Sequence, residues 1–521
     1  MKKQVVHNYI YWVGLGLLVL FMPLSKFLTS SCQFLLLTNF IIELNFKEKF
    51  KRLKTNKEVI AFMFLFFCPI IWCLNATNMQ YAINDIIIIL PLFALPLIIS
   101  TSEPIPKNKF NIILIAFIIG VFLSSFLGFL AYNQIIMDIK PQNIREMSPF
   151  ISSIRLGLMC GLSIFIIIYW FIVKYLKNWW LKIIGLLFLL WFIYFIIIIE
   201  AFTAIIAMLA VIILFLFIWA NKEKRLNYKI LKYFISFLFP IIVFSYIFIQ
   251  IYNFYMPTSI QNDSLVTKLG NEYTQNFTNK NRENGNLIWL DICDKELAEN
   301  WNKYSEIDLH GEAHNGHYLY ITLIRYMTSK GLKKDAEGLS KLTPKDIENI
   351  ENGIFNYRYF NKLGIFRRIY EIISEINDYY YNKEVYETSV ASRIELQRAG
   401  FSMVKDKFWF GAGTGGLRES YNKYYETTTM SFEKGKAALA HNQFLSFFIC
   451  YGIFGGIICL LAWIIPIFKK NVSKNELFIV LFIMASVSMF ADDMLTTTTA
   501  VVFVTCFYSL FLWGRNLKEN L

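Results

Sequence analysis

Windows of about 18–25 residues without a charged side chain recur along this chain, and each is long enough to cross the roughly 30 Å of hydrocarbon in a bilayer. Twelve candidate spans fall near residues 9–29, 31–46, 59–76, 81–100, 110–133, 151–173, 179–199, 201–220, 230–255, 441–468, 476–494 and 497–514. The second is the weakest, being short and containing Glu43. A chain that is 56% apolar and only 17% charged is neither a soluble globular enzyme nor a disordered polymer. The pattern predicts an all-α polytopic membrane protein of about twelve helices.

The first 21 residues, MKKQVVHNYIYWVGLGLLVLF, read as the first span: the apolar stretch is too long for a cleaved signal, and no small-residue cleavage site follows it. Basic residues set the orientation. Lys47, Lys49, Lys51, Arg52, Lys54 and Lys57 crowd one loop, Lys222, Lys224, Arg225 and Lys229 a second, and Lys469, Lys470 and Lys474 a third. With twelve spans these loops share a side with both termini, and the positive-inside rule makes that side cytoplasmic. The opposite loops, such as residues 75–81 and the turn near Glu200, carry almost no Lys or Arg. This predicts a multi-pass protein of a bacterial inner membrane, with residues 256–440 in the periplasm. The net charge of +13 is mostly cytoplasmic anchoring and implies no nucleic-acid partner. The chain therefore divides into an N-terminal membrane domain (1–255), a loop domain (256–440) and C-terminal membrane helices (441–521).

The loop domain is too aromatic for a linker. Apolar residues three and four apart over 344–381 predict helices, with Thr343-Pro344-Lys345-Asp346 as a cap. Residues 389–410 predict another helix, ended by Gly411-Ala412-Gly413-Thr414-Gly415-Gly416. Of the eight cysteines only Cys293 lies well inside the block, so its stability rests on packing rather than on an internal disulfide. His441-Asn442 then opens a membrane-length run, HNQFLSFFICYGIFGGIICLLAWIIPIF. His441 is the only one of five histidines at the mouth of a membrane segment, where an imidazole stands between lipid and water.

The combination SRIELQRAG, KDKFWFGAGTGG and HNQFLSFFICYGIFGG resembles the O-antigen ligase/polymerase family, in which an Arg-bearing helix, a glycine turn and an H-[N/S/Q]-x9-G-x-x-G motif close a large periplasmic loop. His441, Asn442, Gly452 and Gly455 fit that last pattern without a gap. The stretches at 283–302, 322–354 and ADDMLTTTTA (491–500) are similar to a long-loop branch of the family. The resemblance implies a GT-C-like membrane enzyme without a cofactor. It would move a glycan from undecaprenyl diphosphate to an acceptor hydroxyl, such as lipid A-core, with inversion and without metal. Its partners would be the lipid-linked donor, a lipid or glycan acceptor and membrane lipids.

Such a reaction asks for a base on the attacking hydroxyl and cations on the departing diphosphate. His441 is the candidate base; the plainer reading is a helix-mouth histidine bonded to headgroups or backbone. Asn442 either orients the imidazole or a substrate hydroxyl, or caps the helix. Arg393 is the favoured diphosphate ligand, against a solvated residue paired with Glu395 or Asp406. Arg155, one turn inside a span, either binds the same phosphates or snorkels to the interface. Many members of the family carry an arginine near the start of the eighth span, where this chain has EAFTAIIAM, and Arg155 is the cation expected to replace it.

The glycine turn, with Gly413 and Gly415, lacks the Lys-Ser/Thr of a nucleotide loop and either contacts phosphate through its amides or simply brings Arg393 toward His441. Asp492 and Asp493 either orient Arg155 or His441, Asp493 being the one placed at the substrate, or mark the interface. His310, His314 and His317 lack the pairing of a zinc site. Two acceptor variants, an O-antigen or exopolysaccharide polymerase and a protein O-glycosyl ligase, fit the same residues. A polysaccharide-lipid flippase is the rival of another class; it would favour inverted-repeat halves, which this chain does not display.

Overall fold

The computed structural model describes residues 2–136, 144–256, 265–359, 364–382, 390–427, 439–469, 472 and 475–515. Ser389, Lys470 and Lys474, named above, lie outside the described residues. Two compact units emerge: Met1–Phe215 with Arg393–Leu521, and Leu216–Ser392.

The chain begins with the hairpin of α1 (Lys2–Phe21) and α2 (Lys26–Ile42), the second capped by the Ser25 hydroxyl at Leu28 N. The weak window at 31–46 is interrupted by a bend. Leu44 (φ 63°) and Asn45 (φ 30°) turn the backbone left-handed, and the chain bends by 111° into α3 (Phe46–Thr55). The reason is electrostatic: FKEKFKRLKT carries too much charge to follow α2 into lipid. Lys49 is buried there, with its ammonium 2.8 Å from Glu43.

There follow α4 (Lys57–Trp72), the pair α5 (Met79–Ile89) and α6 (Pro91–Thr101), α7 (Lys107–Tyr132), α8 (Ser153–Ile172), α9 (Trp179–Ile198) and α10 (Phe202–Asn221). The break between α5 and α6 falls at Pro91, which has no N–H to continue the ladder.

The second unit holds α11 (Leu226–Tyr255), then α12 (Asp294–Trp301), α13 (Leu319–Ser329), α14 (Ala336–Ser340), α15 (Pro344–Glu351) and α16 (Gly364–Asn382). Between α11 and α12 the chain forms turns and a short hairpin, β1 (Arg282–Glu283) with β2 (Asn286–Leu287). Its Asn284-Gly285 turn has φ of 48° and 89°, the doubly left-handed geometry this dipeptide supports. The cap at Thr343 is present as a full capping box with Asp346. The helix it starts ends at Glu351, because Asn352-Gly353 reverses the chain with Gly353 at φ 76°.

Trp301, Leu323, Met327 and Ile350 form this unit's apolar core. Beside it lies a buried ionic cluster: Glu283 takes Arg325 at 2.6 Å, Asn356 at 2.6 Å and the Tyr370 hydroxyl at 3.0 Å. Asp346 is held down at about 2: burial alone would raise it, but Lys330, Tyr326 and the Thr343 cap outweigh that.

The chain then runs through α17 (Val390–Asp406), α18 (Gly416–Thr427), α19 (Gln443–Ile464), α20 (Glu476–Ala491) and α21 (Thr498–Leu512). Every residue of α21 from Thr499 to Leu512 is buried, so this short helix is the axis of the first unit. Phe62 of α4 stacks on its Tyr508 at 4.4 Å, and Phe117 of α7 meets its Phe507 at 4.5 Å. Among the described residues nine helices are long and apolar enough to cross a membrane, while α2, α20 and α21 are apolar but have 17, 16 and 15 residues. The chain is an all-α polytopic membrane protein.

Candidate active site

Four elements of the first unit converge at the N-terminal end of α19. The helix begins because Asn442, in extended conformation, accepts a bond from Leu445 N through its side chain at 3.1 Å. His441 precedes this cap with a left-handed backbone (φ 47°), uncommon for a residue with a Cβ. Its side chain stays 31% exposed.

The turn after α20 holds the mouth of α19 in place. Ser446 Oγ donates to Asp493 Oδ1 at 2.5 Å, and Leu495 N donates to Gln443 Oε1 at 2.7 Å. These clamps bring Asp492 to His441, with Nδ1 and Oδ1 3.4 Å apart. The other oxygen of Asp492 faces Arg155 Nη2 at 3.8 Å. Arg393 of α17 donates from Nη1 to Ala491 O at 3.3 Å, directly beside the same carboxylate. One imidazole and two guanidiniums thus gather around one carboxylate.

The two adjacent aspartates are shifted in opposite directions. Burial pushes Asp492 up, but His441, Arg155 and Arg393 outweigh it and hold the carboxyl below the usual range. Asp493 is fully enclosed; burial, with the neighbouring Asp492 charge, outweighs the Ser446 bond and His441 and pushes it up to about 6. Asp492 is therefore the standing anion of the site.

Arg155 lines a cavity of about 490 Å³ that also takes in Lys26, Ser148, Ser152, Thr497 and Thr499. The Nε of Arg155 and the hydroxyl of Thr497 are buried with no hydrogen-bond partner among the described residues. A two-cation cavity lined with hydroxyls suits an anionic, hydroxyl-rich ligand.

The glycine turn has a different surrounding. Gly413 N donates to Cys450 O and Ala412 N to Ile449 O, both at 2.8 Å, while Thr414 Oγ1 donates to Pro69 O at 2.5 Å. Gly415 packs against Tyr81 and Ala82, and its amide serves Asp85. These amides are committed to the protein's own acceptors, and Gly413 and Gly415 act as joints that tie the turn to α4, α5 and α19. Gly452 completes the joint: it breaks α19 with φ 61°, and Ile453 N is thereby freed to bond Phe408 O at 2.8 Å.

Of the residues singled out by sequence, the structure gathers His441, Asn442, Arg155, Arg393 and Asp493, and sets Gly413 and Gly415 in the joint. The central role of Asp492 was not legible, because a two-aspartate helix end gives no sign of which carboxylate turns inward. Lys26 and Thr497 had no signal beyond the threonine run itself. His310, His314 and His317 do not meet: His310 Nδ1 pairs with the Tyr318 hydroxyl at 2.8 Å, and no group of three His, Cys, Asp or Glu side chains converges among the described residues.

No curated protein matches the chain. Residues 353–460, which contain Arg393, the glycine joint, His441 and Gly452, match the model of the O-antigen ligase family. It is that segment, rather than the whole chain, that is similar to the O-antigen ligase family.

Proposed function

We propose that the protein is a glycosyltransferase that moves a glycan from an undecaprenyl diphosphate carrier to an acceptor hydroxyl, with inversion. The likeness of residues 353–460 to the O-antigen ligase family supports glycan transfer of the ligase or polymerase type on lipid-linked substrates at a membrane. The observation that carries the finer reading is the assembly of His441, Arg155 and Arg393 around Asp492.

In this reading Asp492 receives the Nδ1 side of the imidazole and leaves Nε2 to take the acceptor's proton. The acceptor oxygen forms its bond to the anomeric carbon as the bond from that carbon to the diphosphate oxygen breaks. The electron pair leaves on the diphosphate, where Arg155 and Arg393 offset the developing charge. Backside displacement inverts the centre. The two arginines are shared with Asp492 before substrate binds, so a diphosphate competes with a carboxylate for them. That competition keeps the site from holding product too tightly.

The proposed location is a bacterial inner membrane, with His441 at the periplasmic face. The loop boundaries at 256 and 440 are part of this proposal. A ligase acting on lipid A-core or a similar acceptor is favoured by the His441 motif; polymerase action would use the same donor and residues.

The test is transfer by purified protein with a defined lipid-linked donor, offered a lipid A-core acceptor and a second lipid-linked glycan, with chelator present. Transfer to the first acceptor that His441→Ala abolishes is the expected result. In cells His441→Ala should leave the protein inserted and abundant while lipid-linked glycan accumulates. Normal mature polysaccharide from that variant would remove His441 from the mechanism.

A further inference from the structure

At the other end of α8 from Arg155, helices α7, α8 and α9 part around a cavity of about 1180 Å³. From Arg155 to Trp170 the helix rises by about 20 Å, so this cavity is remote from His441. It exceeds the roughly 300–1,000 Å³ usual for drug-sized ligands. Its walls along the bundle are apolar, with Ile115, Ile119, Leu181 and Ile184 facing it. Its rim is basic: Lys107, Lys174, Lys177 and Arg515 line it, and no carboxylate does among the described residues. We propose that this cavity binds an anionic phospholipid, its acyl chains along α7 and α9 and its phosphate among the four cations.

Three further observations support an anionic headgroup. The Nε of Arg515 is buried without a hydrogen-bond partner among the described residues, while its guanidinium is fixed 4.9 Å over the Phe110 ring. A cation merely snorkelling to water would not have a donor enclosed in this way. Lys174 occupies the left-handed position (φ 54°) that closes α8, with Tyr175 N bonded to Trp170 O at 3.0 Å and Lys174 N to Phe171 O at 3.3 Å. Glycine is the residue that position favours, and a lysine there carries local strain while setting its ammonium at the rim. Trp179 and Trp180, which begin α9 beside this rim, are exposed, as aromatic residues at headgroup level are. Basic pockets between membrane helices are the usual form of site for such lipids.

Lipid retention by the purified full-length protein tests this, using native mass spectrometry after exchange into vesicles of phosphatidylglycerol or phosphatidylcholine. The wild type should retain phosphatidylglycerol in preference. Lys174 and Lys177 are both exposed, so K174Q/K177Q should fold normally and lose about 25-fold in that preference, about fivefold for each cation. Ile119→Trp, which fills the cavity and keeps every cation, should also displace the lipid. Equal retention of phosphatidylcholine by the wild type would overturn the proposal, as would unchanged retention in both variants. Displacement of the lipid by millimolar inorganic phosphate alone would overturn it too, in favour of a soluble anion.

Discussion

Asp492 faces His441 across 3.4 Å, from carboxylate Oδ1 to imidazole Nδ1, although 50 residues of α19, α20 and their connection separate them in sequence. The contact turns Nδ1 toward the protein and, on the proposed mechanism, leaves Nε2 for the acceptor. Asp492→Asn keeps the shape but removes the anion. We expect transfer per molecule of inserted protein to fall roughly 10²-fold, within the range of general-base catalysis. Adding Asp492→Asn to His441→Ala should cost little more, since the two act as one unit. Full transfer by Asp492→Asn in the purified system would show that the contact is not part of the chemistry.

Arg155 and Asp492 are both largely enclosed, with side chains 16% and 13% exposed. Removing Arg155 takes one of three cations from Asp492, and removing Asp492 leaves the Arg155 charge buried without its anion, at about 3 kcal/mol or more. Arg155→Gln should therefore unfold earlier in a thermal scan and also lose transfer. Arg155→Gln with Asp492→Asn should recover the stability and not the activity. Recovery of both would reduce the arginine to a structural counter-ion.

Asp493 gives a pH dependence of definite sign. Its folded value near 6 lies above the roughly 3.9 of an unfolded aspartate, so the folded state holds the proton more tightly. The stability this contributes is complete below about pH 4 and is lost as pH rises through about 6. Thermal unfolding in detergent should show that loss mainly between about pH 4 and 6 in the wild type and not in Asp493→Asn. A wild-type curve identical to that of the variant would contradict the enclosure of this carboxyl.

Gly452 is required by its backbone. A Cβ there would lie 2.4 Å from Trp409 C and O, and φ 61° is disfavoured for any other residue. Gly452→Ala should destabilise by about 2–3 kcal/mol and weaken the joint to the glycine turn. In Gly16, mid-way along α1, a Cβ meets nothing within 4 Å, so Gly16→Ala should be neutral or stabilising by up to about 1 kcal/mol. The two melting temperatures, compared side by side, check the assignment.

In the second unit, Glu283 is wholly buried against Arg325, Asn356 and Tyr370. Glu283→Gln should leave Arg325 without its anion and lower stability by about 3–5 kcal/mol. Protease resistance of the full chain measures it: cleavage confined to residues 216–392 is expected, and an unchanged pattern would argue against the cluster as a support of that unit.

Much of this protein is local enough to be legible in one dimension. Apolar length specifies the membrane helices, because lipid tolerates few charges and a helix satisfies its own backbone. The cap at Thr343 and the helix start at Asn442 lie within three or four residues of the groups they bond, so their chemistry is written side by side. The bend after α2 is local too, although length alone concealed it: the charges of α3 decide it. The glycine turn was visible as a turn, but the acceptors of its amides, on α4 and α19, were not.

Sequence by itself thus determined the membrane class, the helices and the presence of an imidazole at a helix mouth. Tertiary structure alone decided that Asp492 would be the anion shared by His441, Arg155 and Arg393, with Asp493 turned inward to Ser446. The reason is geometric. These groups come from elements spread over more than 300 residues, and adjacent carboxylates shift in opposite directions only when packing lets cations outweigh burial at one and burial outweigh them at the other.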